Sequence, residues 1–381
     1  MSEKKPSFFA TCRSVFTAVV VVVCIGISVF ILGILLMGSP VSSVPASESV
    51  RLGLAAKYNR FITNEVSDAL KGIVTIPKEY WLNDADRVAP KPNPGCFGQA
   101  KTVAELQWLL DEAAPLLDGQ TTLFNAETPV KPDTVVNYYL DETIFAVTWK
   151  QVVNGGAYTF SEIKVAHPSQ FRRFLAGGEY GSGALYTTTE MSQSVNAVVA
   201  ASGDYYSYRP YGTTVLDGIT YRANDTTLDI CFVDENGDLL FVHKGTLPNK
   251  EDVERFVEEN NVRFSLAFGP IMIEEGELCV PPVYVTGEIS KKLARAALCQ
   301  LGPLHYVVVT VNLEPYSVNM PSVKLFAQSL LDLGIPNAYS LDGGQTASIV
   351  MNNELINSVS YGDQREISDI IYFATALPEG G

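Results

Sequence analysis

Apolar and polar positions follow different periods in different parts of this chain, and the changes of period mark its parts. Residues 14–37 carry no charge, and Val15 to Met37 is almost wholly apolar; as a helix this stretch is about 35 Å long, enough to cross a bilayer with some tilt. Residues 38–47, Gly-Ser-Pro-Val-Ser-Ser-Val-Pro-Ala-Ser, have linker composition. From Ser47 to Leu70, Val50, Leu54, Tyr58, Phe61, Ile62, Val66 and Leu70 recur at roughly helical spacing, and a second helix is expected over Val103–Ala114, ended by Pro115. Between these helices Pro90, Pro92, Pro94 and Gly95 make residues 83–99 read as a loop.

After Asp133 the texture changes to strands. Thr143–Val152 and Ala157–Ala166 flank Asn154-Gly155-Gly156, a hairpin signal, and Leu228–Val233 and Leu239–Val242 flank Asn236-Gly237 in the same way. A short helix is expected at Pro168–Leu175, and residues 196–201 read as a buried strand. Pro321 and Gly334 bracket an amphipathic helix carrying Val323, Phe326, Leu330 and Leu333, with strands at Tyr306–Val311 and Ala338–Leu341 on either side. The fold class expected is α+β with a mixed sheet. Its parts are a cytoplasmic tail (1–13), a transmembrane signal anchor (14–37), a linker (38–47), a mainly helical region (48–135) and a sheet domain (136–381).

Charge sharpens this organisation. Lys4, Lys5 and Arg13 precede the apolar span against Glu3 alone, and the next charge is Glu48; the positive-inside rule then puts the N-terminus in the cytoplasm and the large C-terminal part outside it. Val44-Pro45-Ala46 has the small residues of a signal cleavage site, but the apolar stretch exceeds the usual ~7–15 residues of a cleaved signal, which favours an anchor. The whole chain carries −15, so the part beyond residue 47 carries near −17. Such a surface excludes nucleic acid as a partner, and the membrane is contacted through the N-terminal helix. Cys96, Cys231, Cys279 and Cys299 remain outside the anchor; one or two disulfides are open to them, and so are buried free thiols.

Catalytic chemistry narrows by exclusion. No Gly-x-Ser-x-Gly, His-Glu-x-x-His or Cys-x-x-Cys occurs, and His167, His243 and His305 lie far apart, which argues against a serine triad and against zinc; no metal site is expected and no cofactor is indicated. Asp234-Glu235-Asn236-Gly237-Asp238 reads as a hairpin turn rather than a calcium loop, because no acid stands at the twelfth position. What remains are short polar groups at the ends of apolar segments. They are Ser202-Gly203-Asp204-Tyr205-Tyr206, Arg295, Asp342-Gly343-Gly344, and Arg365-Glu366-Ile367-Ser368-Asp369. Carboxylates serve acid, base or nucleophile roles in glycosyl transfer, while arginine and glycine-loop amides suit phosphate.

The order of these groups resembles the phosphodiester glycosidase family. The likeness rests on Ala-Ser-Gly-Asp-Tyr-Tyr (201–206), Leu-Asp-Gly-Ile-Thr-Tyr-Arg (216–222), Phe-Gly-Pro (268–270), Arg295 before Gly302-Pro303-Leu304-His305, Leu-Asp-Gly-Gly (341–344) and Ile-Ser-Asp-Ile-Ile-Tyr (367–372). The resemblance implies a mixed α/β domain that hydrolyses a sugar 1-phosphodiester, leaving phosphate on the rest of the substrate, here in an envelope polymer or exopolysaccharide. It implies that Asp342, Asp204 and Arg295 are catalytic and that Gly203, Gly343, Gly344, Arg365, Ser368 and Asp369 bind substrate. Arg295 and the Gly343 and Gly344 amides are then expected on the phosphodiester, and Asp342 or Asp204 on the proton or the anomeric carbon. Three positions depart from the family loop: Gln345 replaces a third glycine, and Thr346-Ala347 replaces two serines. If residue 345 needs a positive φ, a side chain there is costly, and the alternative is a glycan-binding envelope protein without turnover.

Overall fold

The computed structural model describes Lys78 and residues 81–83, 86–125, 129–130, 134–224, 227–286 and 288–378. The chain runs through β1 (Phe97–Ala100), α1 (Val103–Ala113), β2 (Val136–Leu140), β3 (Ile144–Val153), β4 (Gly156–Val165), β5 (Phe171–Leu175), α2 (Thr188–Ser194), β6 (Val199–Ser202), β7 (Thr213–Leu216), β8 (Ile219–Ala223), β9 (Ile230–Asp234) and β10 (Leu239–Val242). It continues with α3 (Lys250–Glu259), β11 (Val262–Leu266), β12 (Ile271–Glu274), β13 (Glu277–Leu278), β14 (Arg295–Gly302), β15 (His305–Asn312), α4 (Val323–Asp332), β16 (Asn337–Leu341), β17 (Ile349–Met351), β18 (Glu354–Leu355) and β19 (Asp369–Phe373). The strands form a nine-stranded sheet ordered β1-β2-β3-β4-β15-β14-β16-β12-β13 and two five-stranded sheets, β10-β9-β11-β7-β8 and β18-β17-β6-β19-β5.

Turn chemistry sets the hairpins. Asn154 and Gly155 take φ of 50° and 77°, and Asp217 and Gly218 take 52° and 75°, the paired positive φ that matches the twist of two antiparallel strands. Asp234 Oδ1 accepts from the Asn236 and Asp238 amides at 2.9 and 2.8 Å, so the acidic run is the expected hairpin turn. Thr102 and Glu105 close a capping box on α1, which begins where the 3.6-residue pattern does.

Both faces of the large sheet are buried. Along β15, Val307, Val309 and Val311 pack with Leu106 and Leu109 of α1 and Phe326 and Leu330 of α4, while Tyr306 and Val308 pack with Phe171, Phe373, Phe264 and Val199 from the smaller sheets. This two-sided burial explains why His305–Asn312 reads as a nearly unbroken apolar run.

Two segments differ from expectation. Pro168–Leu175 is not a helix: a 3-10 turn, Pro168–Gln170, leads into β5, because Phe171 pairs with Phe373 across the sheet and stacks on it at 4.7 Å. Tertiary pairing overrides local preference there. The loop expected over 83–99 ends in β1, which pairs with β2, so residues 97–113 contribute to the large sheet and to its helical layer. The apolar span at 14–37 and the helix expected from Ser47 to Leu70 lie outside the described residues. Among those described, no helix is long and apolar enough to cross a membrane. Cys96, Cys231, Cys279 and Cys299 are all free thiols, Cys231 and Cys299 being buried.

Candidate active site

β6 and β19 are antiparallel neighbours, with Ser202 opposite Ile370, so the end of one meets the start of the other. This register brings Gly203 and Asp204 against Asp369. The Gly203 amide donates to the Asp369 carbonyl at 3.1 Å, and the Asp204 amide to Asp369 Oδ2 at 3.1 Å. Only glycine fits at 203, because a Cβ would stand 2.3 Å from Asp369 Oδ2. β16 of the large sheet ends at the same place: the Asp342 amide donates to the Gly203 carbonyl at 3.2 Å, and Ser202 Oγ to the Asp342 carbonyl at 3.3 Å.

A buried arginine absent from the sequence reading ties two of these carboxylates together. Arg173, on β5, lies 3.0 Å from Asp204 Oδ1 and 2.8 Å from Asp369 Oδ2 and also donates to the Ser265 carbonyl. Asp204 Oδ2 accepts from the Ala267 amide at 2.9 Å, so both of its oxygens are engaged. Burial raises the Asp369 carboxyl above the usual range; Arg173 opposes this and the Asp204 charge adds to it. These three side chains brace the site from below.

Asp342 is the carboxyl left open. It is 8% exposed, and Oδ2 has no hydrogen-bond partner among the described residues. Burial pushes its pKa up to about 7, although Thr346, Arg365, Arg209 and the Gly343 amide pull it back. Thr346 Oγ1 itself donates to the Gly343 carbonyl at 2.7 Å. The two cations rest on one aromatic group. Tyr205 and Tyr208 stack at 4.5 Å; Arg365 lies 4.9 Å from the Tyr208 ring and 5.8 Å from that of Tyr205; Arg209 lies 5.5 Å from Tyr205, 5.8 Å from Tyr211 and 5.4 Å from Phe268. Phe268 belongs to the Phe-Gly-Pro motif, whose Gly269-Pro270 bond is cis. Arg222, which closes the 216–222 motif, holds this loop by donating to the Tyr206 and Arg209 carbonyls at 2.9 and 2.7 Å.

The remaining expected residues divide. Gly343 is required by close approach, since a Cβ there would meet the Ala294 carbonyl at 2.7 Å, and Gly344 takes φ of +66°. The Gly344 amide is not free for phosphate, because it donates to the Ala294 carbonyl at 2.8 Å, while the Gly343 amide helps to lower the pKa of the Asp342 carboxyl. Arg295 spends Nη2 on the carbonyls of Glu288 and Lys291, at 2.8 and 2.6 Å, and burial pushes its pKa down to about 10. Arg295 Nε is buried without a partner among the described residues, but the cations that act on the Asp342 carboxyl are Arg365 and Arg209. Ser368 is buried with Oγ unpartnered among the described residues. No group of acidic, His and Cys side chains there could hold a metal ion. Gln345 does not take a positive φ and donates to the Asp363 carbonyl at 3.1 Å, so the missing third glycine strains nothing. Ala347 is fully buried in the core.

Sequence reasoning missed Arg173 and Arg209. The signal for Arg209 was the run Tyr205-Tyr206-Ser207-Tyr208-Arg209, aromatic residues closing on a cation; for Arg173, two adjacent arginines inside an apolar segment gave none.

Residues 195–374 match the family described as phosphodiester glycosidase, and the whole cluster apart from Arg173 falls inside that range. A curated relative, the SPbeta prophage-derived uncharacterized protein YomE of Bacillus subtilis strain 168, is 24% identical over 207 residues, covering 50% of this chain. The chain spans 30% of that relative's length. Among solved structures, the catalytic domain of zebrafish N-acetylglucosamine-1-phosphodiester alpha-N-acetylglucosaminidase, auto-inhibited by its pro-peptide, aligns over 61% of this chain and 83% of its own, with 16% identity and a TM-score of 0.47. A Synechocystis protein aligns over 62% and 63%, with 13% identity and a TM-score of 0.44.

Proposed function

We propose that this chain, whose residues 195–374 match the phosphodiester glycosidase family, hydrolyses a sugar 1-phosphodiester in an envelope polymer or exopolysaccharide, held at the membrane by its N-terminal apolar span. The observation that carries the reading is Asp342: a buried carboxyl with one unpartnered oxygen, its pKa raised to about 7 and within electrostatic reach of Arg365 and Arg209. The apolar run at 15–37, with Lys4, Lys5 and Arg13 before it, supports the location.

The chemistry follows from which group needs help. The leaving group is a phosphate monoester, already a weak base, so cationic side chains stabilise its departure and no proton is required. The nucleophile is water, which does need a base, and a carboxyl of pKa about 7 is matched to that task at neutral pH. Water attacks the anomeric carbon and gives a proton to ionised Asp342; the bond from the anomeric carbon to the bridging oxygen breaks, and its electron pair leaves with the phosphate. The products are the free sugar and a phosphomonoester.

The test is release of free sugar from synthetic sugar 1-phosphodiesters by the detergent-solubilised full chain, alongside Asp342→Asn. Turnover lost in the variant, with an unchanged fold, is the expected result. Binding of the glycan without turnover by the wild type across several sugars would instead establish the glycan-binding alternative.

A further inference from the structure

We infer that Arg209 is the specificity-determining residue for the phosphate: its unpartnered guanidinium nitrogens receive the anionic oxygens of the diester, and the site thereby selects an anionic aglycone over a neutral one. This rests on the hydrolase reading for the substrate but not for the anion.

Arg209 is 9% exposed, and its guanidinium sits among the rings of Tyr205, Tyr211 and Phe268. Nη2 donates to the Ala267 carbonyl at 2.9 Å, whereas Nε and Nη1 are buried with no hydrogen-bond partner among the described residues. A buried donor left unpaired is destabilising, more so when charged, so a purely structural latch would satisfy these nitrogens. The backbone around the group is fixed instead: Arg222 holds the Arg209 carbonyl, and the Ala267 amide holds Asp204. A cation placed at this expense with donors to spare is preorganised for an anion.

The second observation is charge. Arg209 and Arg365 both lie within 6 Å of the Tyr205 ring, and Asp342 is the carboxyl on which both act. With Asp342 protonated the group carries two positive charges, and with it ionised, one. A singly charged phosphodiester brings the second state to neutrality, and a neutral aryl or alkyl glycoside does not.

The measurement is calorimetric titration of inorganic phosphate into the full chain near pH 6, for wild type, Asp342→Asn, Arg209→Met and Arg209→Lys. Wild type and Asp342→Asn are expected to bind, Arg209→Met to lose roughly 10- to 100-fold in affinity, the worth of a charged hydrogen bond, and Arg209→Lys to fall between. Arg209→Lys keeps the charge among the rings, so it reads the donors even if Arg209→Met fails to fold. In parallel, the ratio of kcat/KM for a sugar 1-phosphodiester to that for the aryl glycoside of the same sugar should fall in both Arg209 variants. Phosphate affinity equal to wild type in Arg209→Lys, no phosphate binding by the wild type, or an unchanged substrate ratio would overturn the inference. Arg209-dependent phosphate binding without any sugar release would leave it standing and remove the hydrolase reading alone.

Discussion

In the proposed reaction Asp342 has to meet two demands that oppose each other. A base that works near neutrality needs a raised pKa, and here burial supplies it, at the cost of an ionised carboxylate that is poorly solvated above about pH 7. kcat/KM is therefore expected to rise with pH and level off above about 7. Because bound phosphate adds a negative charge beside the carboxyl, the midpoint for kcat should lie higher than that for kcat/KM; a pH-independent rate between pH 5 and 9 would remove Asp342 as the base. Two of the three unusual loop positions, Gln345 and Ala347, carry less weight than their sequence suggested. Gln345→Gly should leave turnover at or below wild type, because Gln345 has ordinary backbone and a hydrogen bond to lose. Ala347→Ser should lower the melting temperature without raising the rate, by burying a hydroxyl in a filled core. Activity raised severalfold by either change would show that the present loop is a degenerate form.

At the scale of elements, the site depends on one strand pairing. β6 and β19 meet so that Asp204 and Asp369 share Arg173, and Gly203 passes over Asp369 with no room for a methyl group. Gly203→Ala should destabilise the domain by about 1–3 kcal/mol through overpacking against a carboxylate that cannot move. Arg173→Met should cost about 3–5 kcal/mol, since it leaves two buried carboxylates without their cation. Both are read as shifts in denaturant midpoint, and a variant within about 0.5 kcal/mol of wild type would show that the triad is not the brace. The individual partners were partly legible: Gly203, Asp204 and Asp369 stand in motifs with recognisable order. Arg173 was not, because nothing in Phe171-Arg172-Arg173-Phe174-Leu175 announces that its cation faces two acids 31 and 196 residues away along the chain.

At the scale of the whole molecule, the ends of all three sheets converge: β16 from the large sheet, β6 and β19 from one small sheet, and the Leu266–Ala267 end of β11 from the other. Two buried carboxyls with raised pKa hold their protons more firmly in the folded state than in the unfolded chain. Their contribution to stability is thus full below pH 4 and is lost as pH rises toward 7. Asp342→Asn should raise the melting temperature at pH 8 and change it little at pH 4; the opposite order would contradict the raised pKa. From sequence alone, periodicity and turn residues determined most elements of the β3–β4 and β9–β10 hairpins, α1 and α4, because those signals are local and each segment carries its own. Ordered motifs carried the resemblance to the phosphodiester glycosidase family, which the match over residues 195–374 supports, and singled out Asp342 as a candidate. The tertiary structure decided which cations serve that carboxyl, turning Arg295 toward backbone carbonyls and bringing Arg209 and Arg365 onto the tyrosines. It also showed that Gln345 is unstrained. The reason is physical: a side chain's partners are set by strand register and by the crossing of sheets, and neither is written in the spacing of residues along one chain.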